Sequence, residues 1–302
     1  MPVINAADYS TIKSKVDNIF GAGSGQSGYG QVITSPTVLR GQRQTAVQWV
    51  ALRNDMVKAR QHQTGTAVGT TTSTDGNNLI NITSGTLIST ALLTQFNNFA
   101  DVLTTNKFAL SGASNSSSEP LSSSTRTSQW NGTISHQVTI TGSSSGDGSA
   151  ANLRYFFNAG GSINFTATIS GYGEAGVNQK GWAWNQMLSG MATVRFNYNS
   201  TAGSSGTGSA IGFYNLTTSN QVIFSRSGPS GNYSTNLYRI LAKRNVSSTQ
   251  ITFLIEFQDN AGANPNNDEN VSGTLVSAVT NTRPSGSNVS VLSHSSANDI
   301  TL

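Results

Sequence analysis

Apolar positions change rhythm near the middle of the chain, from helical spacing before residue 110 to alternation after residue 130. In the first part, Tyr9, Ile12, Val16 and Ile19 fall on one helical face. They predict a helix over 5–20, capped by Asn5, with Asp8 near the positive end of its dipole and Gly21 as its stop. Trp49, Leu52, Met56 and Ala59 predict a second helix over 45–62, opened by a Thr45–Gln48 capping box and ended by Gly65. Leu92, Phe96, Phe99 and Leu103 predict a third over 90–107, and Leu79, Ile80 and Ile82 form a candidate short strand. The helical stripes are narrow and suit either a small bundle or a docking module.

The second part reads as strands. The longest alternation runs from Asn152 to Ser170, and Asn158-Ala159-Gly160-Gly161 at its centre predicts the turn of a β-hairpin. Ile134, His136, Val138 and Ile140 share a face, as do Ile251, Phe253, Ile255 and Phe257. Further strands are expected at 194–198, 210–216, 221–226, 237–244, 250–258, 272–279 and 288–293. Gly171 to Met191 reads as a long loop with one helical turn near 185–188. Ser111 to Gln129, nearly free of apolar residues, reads as a flexible linker. The expected fold class is α+β, mainly β: a helical docking region at 1–110, a Ser-rich linker at 111–129, and an antiparallel, jelly-roll- or Greek-key-like β-sandwich at 130–302.

Composition sharpens this picture. Charged residues are 10 % of the 302, against roughly 25 % in ordinary soluble domains. Twelve Phe, eight Tyr and four Trp still supply a core, so the chain is not of the disordered type. The net charge of +4 rests on few charges and makes a weak field, so nucleic acid is not an expected partner. Cysteine is absent, which excludes disulfides and thiolate chemistry. The opening residues MPVINAADYSTIK show no basic region followed by an apolar run, so no secretory signal is expected. No apolar stretch approaches the ~20 residues that span a bilayer, so neither is a membrane partner.

Candidate chemistry is thin. Gly23, Gly25 and Gly28 spell G-x-G-x-x-G, but after a helix rather than between a strand and a helix, where the pyrophosphate meets the helix dipole. Gly142-Ser143-Ser144-Ser145-Gly146 spells G-x-S-x-G inside a Ser/Gly run between two expected strands, which is not a nucleophile elbow. His62, His136 and His294 stand apart, and His136 reads as a hydrogen-bonded core residue. Asp259 to Asn270 gathers oxygen ligands without the spacing of an EF-hand loop. No metal, cofactor or catalytic set is expected. The ligand or interface candidates are Trp182, Trp184 and Tyr172: they suit stacking on sugar rings, anchoring of a protein interface, or plugging of one end of the sandwich.

Two segments carry a resemblance. LRYFFNAGGSINFTATISG, with its R-Y-F-F-N-x-G-G core, is similar to β-rich regions of structural proteins of tailed bacteriophages, notably phages of marine cyanobacteria. ADYSTIKSKVDNIFGAGSGQSGYGQ followed by QRQTAVQWVALRNDMVKARQHQTGT resembles the start of such proteins. The resemblance implies a non-enzymatic virion protein of the tail, neck or fibre region, assembled in the host cytoplasm. Its implied partners are other virion proteins and copies of itself, as a trimer or higher. The alternative expectation is an adhesin module whose aromatics bind a host-surface glycan.

Overall fold

The computed structural model describes residues 5–22, 28–173, 179–229, 231–262 and 270–302. Among them are five α-helices and ten strands, an α+β chain whose second half is rich in sheet. The chain forms two compact units, neither continuous in sequence. The first comprises 1–117, 154–161 and 283–292; the second comprises 118–153, 162–282 and 293–302.

The first unit holds helices α1 (Ala6–Phe20), α2 (Ala46–Thr64) and α3 (Thr90–Thr105). Asn5 and Asp8 form a reciprocal capping box: Asn5 Oδ1 accepts from Ala7 N and Asp8 N, and Asp8 accepts from Asn5 N at 2.8 Å. Gln48 accepts from Thr45 N at 2.7 Å, and Gly65 closes α2 in the left-handed conformation at φ +71°. Every helix contributes at least one ring to the core. Trp49 of α2 meets Tyr9 of α1 at 5.2 Å and Phe96 of α3 at 5.3 Å, both edge to face. The segment before α2 is pinned by buried Asp55, which accepts from Thr34 N, the Thr34 hydroxyl and Ser35 N.

Helix α4 (Ser149–Asn158) corrects the hairpin expected at 152–170. Leu153, Phe156 and Phe157 stand at i, i+3 and i+4, and all three are buried. The two glycines end this helix instead of turning a hairpin. Gly160, at φ +84°, donates to Phe157 O at 3.1 Å and Gly161 to Phe156 O at 2.9 Å, the paired bonds of a Schellman stop. Only the second arm of the expected hairpin is a strand, β3 (Ser162–Ser170).

The second unit is a sandwich of two five-stranded antiparallel sheets. One has the order β1 (Ser116–Arg126), β9 (Thr274–Pro284), β3, β4 (Val194–Phe196), β5 (Thr201–Ala202). The other has the order β10 (Ser295–Ile300), β2 (Gly132–Thr141), β8 (Gln250–Asp259), β7 (Leu237–Arg244), β6 (Gln221–Ser227). β1, β2 and β3 alternate between the sheets, as do β8, β9 and β10, so early and late strands interleave as in a jelly roll. β4–β5 and β6–β7 are local antiparallel pairs. Phe165 and Phe196 of the first sheet meet Phe253 of the second at 5.0 and 5.2 Å.

Several expectations need correction. The expected linker is occupied by β1, whose Ser122 and Ser124 are buried. No strand lies at 210–216, where Phe213–Asn215 is a 3₁₀ turn, nor at 288–293; β10 follows at 295–300. β4 stops at Phe196, and β9 begins at Thr274 and runs on to Pro284. Residues 79–82 form no strand, although Leu79 and Ile82 are buried. The single helical turn expected near 185–188 is a full helix, α5 (Lys180–Met191).

Both flanks of the sandwich are laced. On one, the Ser296 hydroxyl donates to Leu121 O, Ser122 donates to Asn298 Oδ1, and Leu302 N donates to Ser124 Oγ at 2.8 Å. On the other, Ser209 bridges to Thr201 of β5 while Thr207 bridges to Ser225 of β6. This carries one ladder from the first sheet into the second.

Candidate functional site

α5 brings the three aromatic candidates to one region but does not make them an open platform. Trp184 is fully buried, 5.9 Å from both Trp130 and Phe257, and Phe257 lies 5.3 Å from Tyr238. Trp182 is half-buried against Ala183, Tyr233 and Ala261. Tyr172 is half-buried and packs over Gly181: a Cβ at that glycine would lie 2.4 Å from the Tyr172 Cβ. Trp184 thus fills the sandwich interior, where a surface ligand has no access to it. The indole N–H groups of Trp184 and Trp130 and the Tyr238 hydroxyl have no bonded partner in this aromatic cluster. Burial pushes the Tyr238 hydroxyl above the ordinary tyrosine range.

A buried ion pair lies at the start of the same helix. Lys180 Nζ donates to Asp259 Oδ2 at 2.8 Å and to Ala261 O at 3.0 Å, and both charged side chains have zero exposure. Asn236 Oδ1 accepts from Asn260 N and Ala261 N, fixing the backbone beyond β8. Burial raises the Asp259 carboxyl above the usual carboxylate range; Lys180 and Asn236 oppose that shift. Sequence reading passed over Lys180 altogether and saw Asp259 only as the start of a polar loop. The available signal was a lysine opening a helix in a chain poor in charge.

A second polar tie crosses between the sheets. His136 of β2 lies 2.7 Å from Ser122 of β1 and 2.9 Å from Ser277 of β9. The single Ser122 hydroxyl proton goes to Asn298 Oδ1, so His136 Nε2 donates to Ser122 and Nδ1 accepts from Ser277. Burial lowers its proton affinity. His136 is therefore the hydrogen-bonded core histidine the alternation suggested, but its serine partners had no sequence signal.

Other candidates separate. Ser144 is exposed on a loop from Gly142 to Gly148; this loop joins a strand to a helix, contrary to the two-strand expectation, without the sharp elbow that presents a nucleophile. Gly23 and Gly25, and most of the polar stretch from Asp259 to Asn270, lie outside the described residues. Among the described residues no three His, Cys, Asp or Glu side chains group as for a metal ion, and no helix is long and apolar enough to cross a membrane. In the first unit, a groove of about 540 Å³ runs between the start of α1 and residues 38–41, lined by Ala6, Ala7, Ser10, Val38 and Arg40 among others. Leu39 and Val47 are exposed nearby in sequence. No protein-family model, curated protein or solved structure matches the chain.

Proposed function

We propose that the chain is a non-enzymatic structural component of a tailed-phage virion, in the tail, neck or fibre region, acting as a homo-oligomer among other virion proteins. The observation that carries the structural role is the placement of the reactive side chains. Asp55, His62, His136, Lys180 and Asp259 are all buried and bonded within their own unit, where they hold strands, helices and loops together. A group that turns over substrate must be reached by it. The phage assignment rests on the similarity of the RYFFNAGG and N-terminal segments to virion proteins. The sparse charge and absent thiols suit a protein that works outside a cell.

Antibody against the chain should decorate tailed particles purified from the lysate that contains it, seen by electron microscopy. Particles that lack the chain by both labelling and mass spectrometry overturn the proposal. Light scattering of the purified protein tests the oligomer, for which a trimer or higher is expected. A glycan-array signal abolished by Trp182→Ala would replace the structural role with an adhesin, since Trp182 is the less buried of the two tryptophans on α5.

A further inference from the structure

Lys180 and Asp259 present an amine nitrogen to a carboxyl group, both with zero exposure, at 2.8 Å. Held reactants at about 3 Å react as if at very high concentration. As an ion pair the arrangement is under-satisfied: Asp259 Oδ1 makes no well-formed hydrogen bond, and the neighbouring Asn236 Nδ2 approaches the carboxyl without closing one. A buried charge pair with an unfilled acceptor bears a large desolvation cost.

We propose that Lys180 Nζ and Asp259 Cγ are joined by an amide bond that forms in the folded chain. One ammonium proton passes to Oδ2, giving the amine and the carboxylic acid. The nitrogen lone pair attacks Cγ, the N–C bond forms, and the Cγ–Oδ2 bond breaks. Oδ2 leaves as water with the acid proton and one amine proton. Nothing is oxidised or reduced and no co-reactant is consumed.

The surroundings fit the product. The single amide N–H keeps the bond to Ala261 O that Lys180 already makes at 3.0 Å. The amide oxygen is a neutral acceptor for Asn236 Nδ2, so two unfilled groups satisfy each other. Two buried charges are replaced by one neutral group beside Ala261. Desolvation of the Asp259 carboxyl favours its protonated form, from which hydroxide need not leave as an anion. Exclusion of bulk water disfavours the reverse hydrolysis.

The test is the intact mass of the purified full-length protein under denaturing conditions. The wild-type chain should be one water lighter than its sequence, and K180R and D259A should each show their full sequence mass. A tryptic digest should yield one branched peptide joining the two segments, uncut after Lys180. A wild-type chain at full sequence mass overturns the proposal. So does a water loss that persists in K180R, which would place a succinimide at Asp75-Gly76 or Asp147-Gly148 instead. The measurement on the wild-type chain does not depend on either variant folding.

Discussion

His62 should make the first unit sensitive to mild acid. Its Nε2 faces Ala159 O at 2.8 Å, and a carbonyl only accepts, so Nε2 carries the ring proton. Nδ1 is buried with no bonded partner, and the ring lies 5.1 Å from the Tyr29 ring. A second proton would create a buried cation with nothing to accept from it. Burial accordingly lowers His62 from 6.5 to about 4, with the Ala159 bond opposing the shift. Below pH 6.5 the unfolded chain binds this proton and the folded chain does not. The stability held by His62 is therefore complete above pH 6.5 and is lost progressively as the pH falls to about 4. At about 1.4 kcal/mol per tenfold in proton affinity, the loss is about 3 kcal/mol. Urea denaturation of the wild type and His62→Gln between pH 7.5 and 4 measures it, because the difference between the two cancels the carboxylates and His136. The wild type should lose about 3 kcal/mol more than the variant across that range. Parallel curves, or a His62 ring signal titrating near 6.5 in the folded protein by NMR, would refute the reasoning.

Three other perturbations probe the fold. Gly160→Ala forces a side chain onto a residue at φ +84° whose Cβ would lie 2.6 Å from the Leu110 Cβ, so the unfolding free energy from urea denaturation should fall by at least the ~1–2 kcal/mol of the backbone conformation alone, with a lower midpoint. An unchanged midpoint would mean that α4 does not end in the left-handed stop. Asp55→Ala strands the Thr34 and Ser35 amides and should cost about 3 kcal/mol, with faster proteolysis within residues 31–44 as the readout. Trp184→Ala empties the space between Trp130 and Phe257 and should cost about 3–5 kcal/mol by denaturation; a loss under ~1 kcal/mol would contradict its burial.

The helices of the first unit were legible because their signals are local. Asn5 with Asp8, Thr45 with Gln48, and stripes such as Tyr9–Ile12–Val16 lie within a few turns of one another, and α1 and α3 begin within a residue of their expected starts. The error at 152–158 has a physical source. α4 is buried on nearly every side, with Arg154 its one half-exposed residue between Ala151 and Asn158, so apolar residues occur at every phase. A short stretch of that kind matches period two as well as 3.6, and N-A-G-G serves a helix stop as readily as a hairpin. β1 was hidden because a serine tract reads as a linker. Its place in the sheet depends on strands far along the chain and on hydroxyl bonds such as Ser122 to His136. β10 was hidden because all six of its residues are exposed and show no alternation. The Lys180–Asp259 pair joins positions 79 apart, a separation at which no local pattern exists.

The interleaving of early and late strands sets a condition on how this chain folds. Thr139 bonds Thr252, 113 positions on, and Asn164 bonds Thr282, 118 positions on. β2 has no sheet neighbour until β8 exists, β3 has only the three-residue β4 beside it until β9 exists, and residues 283–292 of the helical unit come later still. A topology dominated by such distant pairings folds slowly, on the order of milliseconds to seconds or longer. During synthesis the apolar faces of Ile134–Ile140 and Ile163–Ile169 emerge well before their partners, an interval in which association with other nascent chains competes with folding.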